Sequence, residues 1–333
     1  MAHNLEIGNN GEVAFALRGE PAWHGLANVL FDEDAHVSTA EMLKAGKLND
    51  WNVRLESIPL PEGYRSNATN HLVVRDNPFD GGQDVLSVVG DRYKVVQNEA
   101  LFDFGDAILD GGAEWESAGS IKNGRIVFGS LTVPREFVLD PEGANDVTKT
   151  YLLVHTSHDG STAVQANITP VRVVCQNTLN MALSGSKQSF KIRHTQTVDG
   201  KIQMARQALG LTFAHMDKFE EMARQMFETE ITNNQFTALI KSIYPEPEDG
   251  SAKVAETRWN EKYDLLQDLY LNGVTNANIT GTAWGALNAL TERIDYYRSG
   301  RKGGEAIVAA ASGFDPVVNA EKARVLSAVM ALV

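Results

Sequence analysis

Four cations, Arg172, Lys187, Lys191 and Arg193, fall in a tract from residue 160 to 198 that contains no aspartate or glutamate. The surrounding chain is acidic. Its formal net charge is −13, and residues 1 to 159 hold 25 acidic against 12 basic side chains. Spaced cations neutralise phosphates along a polyanion, and aromatic faces let unstacked bases lie against the protein. Phe190 lies inside the tract, Tyr93 is followed by Lys94, and Tyr151 precedes the tract. Together these residue types suit a groove for single-stranded nucleic acid. The same charges also suit a solvated loop, or a patch that pairs with acidic residues of a neighbouring subunit. Overall acidity argues against indiscriminate polyanion binding by the whole surface.

Other chemistry is weaker on the page. His155, His158 and Asp159 in "VHTSHDG" suggest a metal site, but residues 155 and 158 of one strand point to opposite faces. A turn at Asp159-Gly160 accounts for the aspartate, and a ligand set needs three or four converging groups. His194 joins them only through tertiary folding, so no metal is expected. Cys175 is the single cysteine, which excludes an intramolecular disulfide and a multi-cysteine metal site. Between "RVV" and "TLNMAL" it reads as a buried packing residue. Gln176, Asn177, Thr178 and Asn180 read as capping and buried-network groups. There is no phosphate-cradling glycine loop and no G-x-S-x-G elbow, so neither a catalytic centre nor a cofactor is expected. An enzyme using Cys175 or the histidines is the third-ranked reading.

The elements that must position these residues follow from pattern. At 333 residues the chain should form two domains, or one with a helical extension. "WNVRLESIPL" and "NHLVVRD" read as strands, and "DVLSVVGDRYKVV" as two strands broken at Gly90-Asp91. Asn98 reads as the N-cap of a helix, "EALFDFGDAIL", that stops at Gly111-Gly112. Hairpins are expected at Asn123-Gly124 and Asp159-Gly160, whose residues tolerate positive φ. The fold class is therefore α+β: an antiparallel meander with packed helices, followed by a long amphipathic helix and a helical C-terminal region. Ile202, Ala205, Leu209, Phe213, Met216, Phe219, Met222 and Met226 mark that long helix by their steps of three and four. The expected divisions are a core over 1–198, the long and connecting helices over 199–243, and a helical region over 251–333. No apolar run approaches the roughly 18 residues of a membrane span. The N-terminus has no signal-peptide pattern. A cytoplasmic protein is expected.

The chain resembles the phage/plasmid-like family known as domain of unknown function 932. The resemblance rests on "EPAWHGL" (Glu20 to Leu26), "VVGDRYKVVQNEALFDF" (Val88 to Phe104), "RVVCQNTLNMAL" (Arg172 to Leu183), "IRHT" (Ile192 to Thr195) and "GTAWGALNALTERID" (Gly281 to Asp295). Ala27 stands where the family often has glycine, and Tyr296-Tyr297 where histidine is common. The strand–helix–meander core is more distantly similar to phage single-strand annealing proteins, the RecT and Red-beta group. That likeness implies a homo-oligomer without a catalytic centre, working on single-stranded DNA in the cytoplasm of a bacterial host. Arg172, Lys187, Phe190, Lys191, Arg193, Tyr93 and Lys94 would line the DNA path. The competing expectation is a host-modulating or regulatory protein whose long helix and tail contact a host or phage protein partner.

Overall fold

The computed structural model describes residues 5–19, 29–63, 69–109, 112–172, 189–191, 198–248, 250, 252–297 and 316–333. Its centre is a seven-stranded sheet. The strands are β1 (Phe15–Arg18), β2 (Val29–Phe31), β6 (Glu114–Ile121), β7 (Ile126–Leu139), β8 (Asp146–Ser157), β9 (Gln165–Arg172) and β10 (Ser189–Lys191), in the order β10-β9-β8-β7-β6-β1-β2. The run β6 to β10 is an antiparallel meander, while β2 pairs parallel to β1 and makes the sheet mixed. A second, antiparallel sheet holds β3 (Arg54–Ser57), β4 (Asn70–Asp76) and β5 (Gln83–Gly90). The helices are α1 (Thr39–Ala45), α2 (Asn98–Leu109), α3 (Val198–Glu228), α4 (Asn233–Ile243), α5 (Lys253–Leu271), α6 (Ala283–Tyr296) and α7 (Pro316–Met330). The expected α+β class is the class observed.

Both expected hairpins form, with loops longer than two residues. At the β6–β7 turn Lys122, Asn123 and Gly124 all take positive φ, closing a four-residue loop between the paired Ile121 and Ile126. Between β8 and β9 only Gly160 is left-handed. There the loop runs from 158 to 164, because His158 turns inward and is buried. The strand expected after Asp91 does not form. Gln97 clamps Val53 instead, accepting from its backbone nitrogen at 3.0 Å and donating to its carbonyl at 2.7 Å, so side-chain bonds replace a ladder. Asn98 opens α2 but its side chain is no simple cap. It donates to Leu48 O at 2.8 Å and meets His158 Nε2 at 2.9 Å.

Two helix starts carry reciprocal capping boxes that the sequence spells out. Ser38 and Glu41 bond each other's backbone nitrogens ahead of α1, and Thr232 and Gln235 do so ahead of α4. One sheet face, with Trp115, Leu131, Leu152, Val154 and Ile168, is buried in the main core, and α2 and α3 pack on the sheet. Gly105 lets α2 sit directly on Trp115, since a Cβ there would lie 2.1 Å from Cζ2 of the indole. From Leu209 to Met226 the apolar stripe of α3 faces the chain's own core. Met216, Phe219, Met222 and Met226 are all buried, so this part of the stripe does not need a second copy to cover it.

Behind α3 lies α6, buried along nearly its whole length. Two charge pairs join it to α7. Arg293 meets Glu321 at 2.7 Å, and Asp295 meets Lys322 at 2.7 Å with both side chains 1% exposed. Burial holds the Lys322 ammonium below its ordinary pKa, and Asp295 opposes that shift. Among the described residues no helix is long and apolar enough to cross a membrane.

Candidate nucleic-acid interface

The acid-free tract enters the structure as β9 and β10, the outermost strands at one side of the seven-stranded sheet. Backbone register fixes three of the expected positions. Lys191 pairs with Gln165, Phe190 with Ala166, and Arg172 with Thr148. Gln165 and Arg172 are the two ends of β9, about 23 Å apart at the usual strand rise. The structure thus spreads these cations along an edge rather than gathering them at a point. Beyond Asn167 the pairing of β9 with β10 ends among the described residues, and Pro170, which has no N–H to donate, sits in that stretch. Lys187 and Arg193 lie outside the described residues. So do Cys175, His194 and the helix expected over Asn177 to Leu183.

Tyr93 and Lys94 sit in the loop between β5 and α2. The Tyr93 hydroxyl donates to Ser157 O at 3.3 Å, which places it at the β8–β9 hairpin, the same end of β9 as Lys191. Burial, reinforced by the nearby charge of Asp159, pushes this phenol up to about 12. Lys94 is exposed. The described residues therefore group Tyr93, Lys94 and Lys191 at one end and Arg172 at the other. An acid shares the first end: Asp159 stays ionised because Ser161 bonds to its carboxylate, against the opposing effect of burial. Tyr151 is 8% exposed and is not open to a base from solvent. Burial and the charge of Glu116 drive its pKa upward, with Arg18 opposing.

The two histidines occupy separate environments. His155 Nε2 is an acceptor for Gln165 Nε2 at 3.0 Å and Asn167 Nδ2 at 3.2 Å, so its proton resides on Nδ1. His158 is the opposite tautomer. Asn98 uses its amide nitrogen on Leu48 O, leaving Oδ1 to accept from His158 Nε2. Its ring stands 5.7 Å from Trp51, whose other neighbour is the Arg75 guanidinium, 4.1 Å from the indole centroid. Arg75 is held by Glu6 and Asp84. Burial pulls His155 down to about 3, and burial with the Arg75 charge pulls His158 down to about 4. Both are neutral structural groups at neutral pH. No cluster among the described residues has the composition of a metal site.

Sequence reasoning missed a polar seam on the second face of the sheet. Ser117 and Ser130 share a hydrogen bond of 2.6 Å and Ser130 donates to Glu116 at 2.7 Å; beyond the apolar Leu153 of β8, Asn167 of β9 donates to His155 at 3.2 Å. The period-two polar run Gln165, Asn167, Thr169 was its signal. Such alternation ordinarily marks a solvated face, whereas Asn167 and Thr169 are buried.

Meander, second sheet and helical C-terminal half define an α+β protein with a polar seam and an acid-free sheet edge. The chain belongs to the family of domain of unknown function DUF932, whose model matches residues 85–314. The match opens in β5 and ends before α7, so "EPAWHGL" lies outside it. No curated protein and no solved structure matches the chain, and the likeness to annealing proteins gains no support from that side.

Proposed function

We propose that this protein binds single-stranded DNA without enzymatic chemistry and promotes its annealing in phage or plasmid recombination. The observation that carries the reading is the placement of the acid-free tract: in a protein of net charge −13, residues 160 to 198 hold four cations and no carboxylate and supply β9 and β10 at one outer edge of the sheet. Arg172, Lys187, Lys191 and Arg193 neutralise successive phosphates, Phe190 offers a ring to a base, and Tyr93 with Lys94 extends the path past the β8–β9 hairpin. Self-association aligns successive paths. Its surface is not the Leu209-to-Met226 part of the α3 stripe, which the core already uses.

Binding of labelled oligonucleotides to the full chain, measured against salt, tests this. Each alanine substitution of the four cations should weaken binding to strands of any sequence and flatten the logarithmic salt slope by about 0.7. Phe190→Ala should cost about 1–3 kcal/mol with little change in slope. Lys44→Ala and Lys47→Ala should change nothing. If Lys187→Ala/Lys191→Ala/Arg193→Ala binds as the parent does, or the parent binds no strand at low salt, the edge is not a DNA path. The tract would then point to a protein partner.

A further inference from the structure

A cleft of about 950 Å³ opens between the end of α4, α5 and α6. That lies within the size range of small-molecule sites. Its chemistry is unlike the rest of this acidic protein. Arg258 and Lys262 stand four residues apart on α5, hence on one face, and both line the cleft with Arg293 from α6. Lys262 Nζ and the Arg293 guanidinium flank one ring, 4.6 and 5.3 Å from the centroid of Tyr244. Arg293 is neutralised by Glu321, which also accepts from the Tyr244 hydroxyl at 2.8 Å. Arg258 and Lys262 have no such partner among the described residues. Glu261 also lines the cleft and forms no ion pair with them.

Like charges at this helical spacing repel. A further cation is close as well: burial, Arg293 and Arg324 of α7 together hold the Lys262 ammonium below the ordinary lysine range, with Glu321 opposing. A chain with 43 carboxylates had many ways to discharge this arrangement. An anion in the cleft removes the repulsion.

The walls narrow the class of anion. Trp259 is fixed in orientation: its indole nitrogen donates to Tyr244 O at 2.9 Å, and its ring stacks on Tyr263 with centroids 5.2 Å apart. Tyr297, half exposed at the end of α6, is a second aromatic in the lining, and Pro245 and Pro247 make a rigid apolar border. Cations serve a phosphate, and flat rigid rings serve another ring. We infer that this cleft binds a phosphate monoester attached to a planar aromatic base, a 5′-nucleotide unit, at a site separate from the sheet edge.

Titration calorimetry on the full chain at low salt, with thymidine 5′-monophosphate, thymidine and inorganic phosphate, tests the inference. The monophosphate should bind, and thymidine should bind at least about tenfold more weakly because it lacks the charge-assisted contacts. Inorganic phosphate should fall between them. Arg258→Gln and Lys262→Gln should each weaken the monophosphate by about tenfold, while Tm without ligand stays level or rises because a repulsion has gone. Arg258 is exposed, so its variant keeps the test valid even if Lys262→Gln folds poorly. Lys191→Ala should bind the monophosphate as the parent does. A trinucleotide with and without a 5′-phosphate separates the two sources of the unit: preference for the phosphorylated strand over the mononucleotide assigns the cleft to a strand end, the reverse to a free nucleotide. Absence of monophosphate binding, equal binding by both glutamine variants, or loss of it in Lys191→Ala overturns the inference.

Discussion

Lowering the pH from about 7 to about 5 should destabilise this protein severely, and the reason lies in three buried neutral histidines. His155, His158 and His215 are inaccessible to solvent, and burial holds them at about 3, 4 and 4 in the fold against an ordinary 6.5. The unfolded chain takes up their protons first. Their contribution is therefore fully present above about pH 6.5 and is lost as the pH falls from there towards the folded values. At about pH 5 each histidine has lost about 2 kcal/mol relative to pH 7, about 6 kcal/mol for the three. Domains of ordinary stability have about 5–15 kcal/mol in all. Carboxylates add little to this window: those with depressed pKa, such as Asp76, Asp159 and Glu220, keep most of their contributions down to about pH 5 and lose them as the pH falls through the ordinary carboxylate values towards the folded ones. Urea unfolding at the two pH values measures the loss directly. His158→Gln keeps a donor for Asn98 and removes one titrating ring, so its loss between the two pH values should shrink by about 2 kcal/mol, whatever the variant costs at pH 7. A parent equally stable at both values, or a variant with an unchanged pH increment, would refute the reasoning.

Other substitutions probe packing and pairing. Gly105→Ala drives a methyl into Trp115; overpacking of about 1–3 kcal/mol outweighs the helix propensity gained, and a thermal melt should show a lower Tm. Thr232→Ala removes the capping box of α4 and should cost about 0.5–2 kcal/mol in urea unfolding, with Thr232→Ser recovering most of it. Arg75→Leu strands the buried Glu6 carboxylate and should cost about 3–5 kcal/mol, whereas Arg75→Leu with Glu6→Leu should be closer to the parent in the same assay.

The helix after Asn98 and those from residue 199 onward were read because their signals are local, whereas α1, equally local in its signal, was not read. "STAE" and "TNNQ" spell capping boxes, and the three- and four-residue steps from Leu209 to Met226 already place α3 and its inward face. The Asn123-Gly124 turn is local in the same way. What pattern alone did not reveal depends on distant partners. His158 is buried where Asn98, 60 residues earlier, meets its ring, and in the segment after Asp91 the Gln97 side chain bonds the Val53 backbone. Period-two polarity in β9 reads as a wet face, and only the neighbouring strands make it a buried seam. In the cleft, Arg258 and Lys262 are legible as a like-charged pair on one helix. The arrival of Arg293 and Arg324 from two other helices is not.

The paired charges between α6 and α7 set a condition on how these sequences can drift. Along α6 the order is positive at 293 and negative at 295; along α7 it is negative at 321 and positive at 322. Replacing any one of the four alone takes the opposite charge away from a buried partner, a step of about 3–5 kcal/mol. Change at these positions must therefore come in matched pairs. Relatives that differ from this chain at Asp295 should differ at Lys322 too, either as a swapped pair or as two apolar residues.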